Sequence, residues 1–169
     1  MLDQPATPPV PTEPAIPAPA AQAEGGLFPL LAPAEFSKDE NNAPEGWWVS
    51  APDRVKRTEE KGPGDAVVWT LSPDAKDDTR LVRTIFAEIA GERLEVNTLV
   101  KSPEAGAVIV AIVGKSDGKD IFFSATNKGG GDWEEVRVTA DLPKVIDKDS
   151  LAVRIGLAPG AKDAANISA

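Results

Sequence analysis

The chain contains no cysteine, no histidine and no tyrosine. Without cysteine and histidine, zinc, haem and iron–sulfur sites lose their usual ligands, and a nucleophile backed by a histidine base is excluded. No disulfide holds the fold together, which is compatible with any compartment. Basic residues are also short: 18 Lys and Arg stand against 27 Asp and Glu, a formal net charge of −9. That balance argues against nucleic acid, whose phosphates demand clustered cations, and against anionic lipid. Partners are neutral or basic, or the charge serves solubility. No apolar run approaches the roughly 18–20 residues that span a bilayer. The N-terminus lacks the basic and apolar regions of a secretory signal. This leaves a cytosolic protein or a mature chain whose signal or anchor is gone. Met1-Leu2-Asp3 followed by a Pro-rich stretch suits the second.

What is present divides into two regions. In residues 1–25, Pro5, Pro8, Pro11, Pro14 and Pro17 recur with a strict period of three. Polyproline II has three residues per turn, so these prolines line one edge of an extended arm. The span from Pro5 to Pro17 reaches roughly 37 Å at about 3.1 Å per residue. A spacer or tether and a ligand for an aromatic-lined groove both fit. Groove ligands are commonly oriented by a flanking cation, and none occurs before Lys38.

From Gly26 to Ala169 the composition is that of a globular domain of ordinary size. Short β-rich segments are broken by turn residues at 8–12-residue spacing, the mark of an antiparallel sandwich. Residues 27–31 read as an edge strand and 54–59 as a polar strand. Gly62-Pro63-Gly64 reads as a tight turn. In 66–71, Val67, Trp69 and Leu71 share one face; in 81–89, Leu81, Arg83, Ile85 and Ala87 do so. In 94–101, Leu94, Val96, Thr98 and Val100 oppose Glu95, Asn97 and Leu99. The run 108–113 suits a central strand buried on both faces, and Asp117-Gly118 is a hairpin turn. A strand begins near Trp133 and ends by Pro143. Another places Leu151, Val153, Ile155 and Leu157 together, and a last one starts near Ala164. The sum is eight or nine strands with little helix.

Three segments then carry a resemblance. Gly46-Trp47-Trp48 is followed by Gly91, Leu94, Val96, Val100 and Lys101, and then by Gly131-Asp132-Trp133, Val136, Val138-Thr139 and Leu142-Pro143. Their order and spacing resemble the jelly-roll carbohydrate-binding modules with a galactose-binding-like fold, over about residues 27–169. The resemblance implies an all-β antiparallel jelly-roll sandwich and a glycan ligand. It also implies a structural calcium held by acids at the two ends of the domain. Here Glu35 precedes Phe36 where relatives place the acid after it, and the chain stops at Ala169 before a closing acid. These departures argue against calcium. They also suggest that the last strand is cut short or supplied by a partner.

Candidate ligand contacts follow. Trp47 and Trp48 are adjacent, so a strand points them to opposite faces; one packs in the core and Trp48 is the candidate sugar platform. Trp69 is a second candidate, although its alternating apolar context equally suits the core. Arg83 and Asn97 lie mid-strand as hydrogen-bond donors on a sheet face, or simply on a solvated one. Trp133 is a packing residue. Asp74, Asp77 and Asp78 lack the ligand spacing of a calcium loop and read as a solvated turn. Gly129-Gly130-Gly131 reads as a mobile turn, and Asn166-Ile167-Ser168 matches a glycosylation pattern that is weak evidence alone. No pair among the 27 acids is singled out for hydrolysis.

The sequence is therefore read as a non-enzyme with no cofactor and no metal. It is placed outside the cytoplasm, periplasmic or at the cell surface, anchored or complex-associated. Two functions remain. One is an accessory subunit whose sandwich and arm pack on protein partners; the alternative is a module that binds a cell-surface or polymeric glycan. Scarce aromatics favour the first and the resemblance favours the second.

Overall fold

A computed structural model describes residues 39–40, 43–74, 78–86 and 88–168. The arm at 1–25, the segment 27–31 and Glu35 lie outside the described residues. Twelve strands lie among the described residues: β1 (Asp39–Glu40), β2 (Ala43–Pro44), β3 (Trp48–Val49), β4 (Val55–Lys61), β5 (Val67–Leu71) and β6 (Arg80–Thr84) come first. They are followed by β7 (Arg93–Lys101), β8 (Val108–Ser116), β9 (Lys119–Thr126), β10 (Trp133–Asp141), β11 (Ala152–Leu157) and β12 (Ala165–Ser168). Helical geometry among the described residues is confined to the 3-10 turns Pro52–Arg54 and Pro63–Asp65.

Beyond the short β1–β2 pair, two five-stranded sheets run in the orders β10-β7-β12-β5-β4 and β3-β6-β11-β8-β9. Every pairing is antiparallel. The two sheets form a sandwich whose core is made by alternate residues of each strand. The first sheet contributes Val55, Trp69, Leu71, Leu94, Val100, Val136, Val138 and Ile167. The second contributes Val49, Leu81, Val108, Val110, Ile112, Val153, Ile155 and Leu157. Since side chains alternate with a period of two, fixing these residues inward fixes their neighbours on the two outer faces.

The turns behave as their residues require. Asp117 and Gly118 both take positive φ, 50° and 73°, the geometry that joins adjacent antiparallel strands with the correct twist. The triglycine turn is held rather than free. Gly130 and Gly131 donate to the carbonyls of Pro103 and Ser102, and the Glu134 carboxylate accepts from the backbone N–H of Lys128 and Gly129. Edge strand β4 carries Lys56, Arg57, Glu59, Glu60 and Lys61 and a register shift between Arg57 and Lys61, both of which discourage pairing with another chain.

Three expectations are corrected. The strand expected over 81–89 ends at Thr84. Its partner β11 begins at Ala152, so after the Ile85 N–H bonds the Leu151 carbonyl no ladder remains, and Phe86 turns outward. The run 108–113 is not sealed on both faces, because Ile109 and Val113 are only half-buried; the centre of its sheet is β11. The last strand is not replaced by a partner's, although it is short, spanning only Ala165–Ser168. β12 pairs with β5 and β7 on its two sides and stands at the sheet's centre.

Candidate functional site

The outer face of the β3-β6-β11-β8-β9 sheet combines an apolar floor, exposed aromatics and a compact charged cluster. One row crosses the whole sheet in register: Trp48, Val82, Arg154, Ala111 and Ser124. The next row reads Thr84, Ala152, Val113 and Phe122, and on the other side lie Arg80, Gly156, Ile109 and Thr126. Large aromatics thus stand only on the two edge strands, with Trp48 58% and Phe122 60% exposed. Between them the floor is low, because β11 and β8 present Ala152, Gly156 and Ala111. Four strand steps of about 4.8 Å separate β3 from β9, so the face is roughly 19 Å wide.

The charged cluster sits beside Trp48. Arg154 donates through Nη2 to Asp78 Oδ2 at 3.0 Å, and Arg80 donates through Nη1 to the same oxygen at 3.2 Å. The Arg80 guanidinium also lies 6.0 Å from the Trp48 ring centroid, a cation–π distance that steadies the indole. The acid is fixed by its own backbone. The Ser50 hydroxyl donates to the Asp78 carbonyl and accepts from the Arg80 N–H, while Thr79, 1% exposed, bonds the Ser72 carbonyl. Gly156 makes room for this arrangement. A Cβ there would lie 2.7 Å from the Arg80 Cβ and 2.9 Å from the Thr79 carbonyl oxygen. The chemical capacity of the face is to stack flat apolar rings at its edges and hydrogen-bond polar groups between them.

The residues nominated from the sequence do not come together. Trp48 is on this face, and its neighbour Trp47 packs against the core as alternation requires. Trp69 is corrected: it has 0% exposure in the middle of the core, so no ligand can stack on it. Its i±2 pattern with Val67 and Leu71 had already allowed that position. Arg83 is displaced from the expected sheet face. It shares the inward set with Leu81 and Ile85, and its guanidinium escapes at the sheet edge beneath Gly46, donating to the Glu45 carbonyl. Asn97 is exposed on the outer face of the opposite sheet, where it donates to Glu95. Trp133 is half-buried at the edge of that same face, opposite Lys101. Asp74 and Asp78 are not simply solvated: Asp74 pairs with Arg54 and Asp78 with two arginines, while Asp77 lies outside the described residues.

Sequence reasoning missed Arg154, Arg80 and Phe122, and read Asp78 only as part of a solvated turn. The signal was available in 151–157, where assigning Leu151, Val153, Ile155 and Leu157 to the core leaves Ala152, Arg154 and Gly156 facing out. An arginine flanked at i±2 by the two smallest residues marks a recess on a sheet face. Among the described residues no group of three or more acidic side chains is placed to hold a metal ion.

The opposite outer face is a network of paired charges. Glu60 accepts from Lys101 Nζ at 2.9 Å and from Asn166, whose carbonyl oxygen accepts from Thr70. Arg137 bonds Glu135 and lies 3.5 Å from Glu95. The hydrogen bond to Glu135, then the charges of Glu135 and Glu95, hold its guanidinium above the ordinary arginine value.

No protein-family model matches the chain, and no curated protein matches it in sequence. Solved structures do match in fold. The CBM22-1 xylan-binding domain of Paenibacillus barcinonensis Xyn10C superimposes with a TM-score of 0.60 at 12% identity, covering 79% of this chain and 86% of that domain. A family 16 carbohydrate-binding module gives 0.54 at 14% identity, covering 69% and 82%. The Clostridium thermocellum xylanase fragment joining CBM22-1 and GH10 modules, complexed with xylohexaose, gives 0.57 at 11% identity, covering 79% of this chain and 26% of that one. At these identities the likeness concerns the fold, and the fold of this chain is a carbohydrate-binding-module-like β-sandwich.

Proposed function

We propose that the protein is a non-catalytic glycan-binding module. Its binding surface is the outer face of β3-β6-β11-β8-β9. The single observation that carries the reading is the pairing of exposed Trp48 and Phe122 across a largely apolar floor lowered by Ala111 and Ala152, with polar groups between them. Exposed aromatics on a soluble domain cost free energy unless something covers them, and sugar rings supply a flat C–H face for stacking and hydroxyls for hydrogen bonding. A face roughly 19 Å wide and open at both edges accepts an internal stretch of polymer rather than a single sugar. The sequence alone ranked a protein-contacting subunit first. The fold comparisons with carbohydrate-binding modules support the other order.

The proposal includes an extracytoplasmic location, where polymeric glycans occur, with residues 1–25 acting as a tether. Affinity electrophoresis of the full chain in gels containing soluble xylan, mixed-linkage β-glucan and pectic polymers tests the reading. The wild type is expected to be retarded by at least one polymer, and Trp48→Ala to run unretarded there. A wild type that ignores every polymer, or a Trp48→Ala variant retarded like the wild type, contradicts it.

A protein contact keeps one specific observation in its favour. At one end of the sandwich, Phe86 is 82% and Val145 52% exposed, beside a cavity of about 510 Å³ lined in part by Ile85, Ile89, Ile146 and Leu151. Binding there would be unaffected by Trp48→Ala.

A further inference from the structure

We infer that the glycan this face takes is acidic, recognised through carboxylates on its sugar rings; the inference rests on the glycan-binding reading above. Two guanidiniums, Arg80 and Arg154, converge on one oxygen of a single carboxylate, Asp78. Among the described residues the cluster therefore sets two cations against one anion beside Trp48, on a chain whose formal charge is −9. A guanidinium donates to neutral hydroxyls as well, but its hydrogen bonds are strongest and best matched in geometry to a carboxylate, so the surplus cation favours an anionic ligand over a neutral one.

Arg154 is built to meet it. Among the described residues its guanidinium is hydrogen-bonded through one Nη2 hydrogen alone, so the second Nη2 hydrogen remains to be paired with Nε–H or Nη1–H toward a ligand. Its side chain is 32% exposed and that of Arg80 33%, enough for contact while partly withdrawn from water. The floor around Arg154 consists of Val82, Ala111, Ala152 and Gly156, none of which can compete for its donors or hide it. A planar guanidinium rising from small neighbours presents a fork that matches a carboxylate in two parallel hydrogen bonds. Trp48, in register with Arg154 through Val82 and steadied by Arg80, sits where the ring bearing or preceding that carboxylate would stack. The acidic remainder of the chain does not cancel this. At physiological salt its field is screened over about 8 Å, whereas the contacts in question are made at hydrogen-bond distance.

The experiment pairs each acidic polymer with an uncharged counterpart of the same backbone. Polygalacturonate, alginate and glucuronoxylan are titrated into the full chain by calorimetry at physiological salt, alongside their esterified or carboxyl-reduced forms. The expected result is that at least one acidic polymer binds about tenfold or more tighter than its uncharged form, the size of one charge-assisted hydrogen bond. Arg154→Gln is expected to remove that difference, and Arg154→Lys, which keeps the charge and loses the fork, to restore part of it. The wild-type comparison needs no variant to fold; thermal melts of both variants check their integrity.

Three results would overturn the inference. If uncharged polymers bind as well as every acidic one and Trp48→Ala abolishes that binding, the glycan site stands and the acidic specificity falls. If dextran sulfate binds as tightly as the uronate polymers and is indifferent to Arg154→Gln, the contact is a non-specific polyanion effect. If no polymer of either kind binds, the glycan reading itself fails and this inference goes with it.

Discussion

The two outer faces of the sandwich are made from the same kind of strand, yet their chemistry differs. On the β10-β7-β12-β5-β4 face, Lys101, Glu60, Asn166 and Thr70 satisfy one another, and Arg137 is held between Glu135 and Glu95. These charges are partnered on their own or a nearby strand, and among the described residues the exposed aromatics of the other face have no equivalent here beyond the half-buried Trp133. On the β3-β6-β11-β8-β9 face, charge lies in the cluster of two cations and one anion and, one row beyond Val113 and Phe122, in Lys115 and Asp120, the rest of the floor is largely apolar, and two aromatics stand exposed at the edges. A face that satisfies itself is a solvated surface. One that leaves apolar rings and guanidinium donors open has the chemistry the proposed glycan site requires. The comparison also separates two tryptophans that look alike in sequence: Trp69 holds the sheets together and Trp48 points away from them.

Substitutions can break this contrast, and they are expected to rank by burial. Trp69→Ala empties the centre of the core and should cost about 3–5 kcal/mol in urea unfolding, with loss of every binding property as a consequence. Gly156→Ala is next. Its new Cβ meets Arg80 and the Thr79 carbonyl, so a loss of about 1–3 kcal/mol and weakened glycan binding should appear together. Trp48→Ala should weaken binding by roughly tenfold or more while leaving stability within about 0.5 kcal/mol of wild type, read by calorimetry and a thermal melt. Phe122→Ala should act in the same direction and less strongly, because it lacks the neighbouring Arg cluster. Thr70→Ala, on the self-satisfied face, removes one hydrogen bond to Asn166 and should cost about 1 kcal/mol or less with binding unchanged. A Thr70→Ala variant that lost binding would remove the distinction between the faces.

Much of the architecture was legible because alternation is a local signal. Leu94, Val96, Thr98 and Val100, or Leu151, Val153, Ile155 and Leu157, declare an inward face without any knowledge of their partners. Asp117-Gly118 declares a hairpin because both positions need positive φ. The proposed binding face was legible only at Trp48. Its other members are brought together by register between strands distant in sequence: Arg154 meets Asp78 across 76 positions, and Trp48 lies beside Val82. Arg83 misled for a related reason. A long side chain on the inward set can leave the core at a sheet edge, and only the position of Gly46 above it shows that it does. Phe86 was assigned to a strand because its alternation continues past Thr84, whereas the strand stops where β11 no longer offers a partner.

The claim that the Trp48 face is the binding surface is tested most directly by the indole N–H signals of the chain's four tryptophans in a proton–nitrogen correlation spectrum. They are assigned by single substitution and followed while a binding polysaccharide, cut to soluble oligosaccharides, is added. The Trp48 signal should move in proportion to saturation, with the buried Trp69 signal fixed and the Trp133 signal on the opposite face unchanged. Movement of Trp133 with Trp48 still would place the ligand on the wrong face and contradict the account.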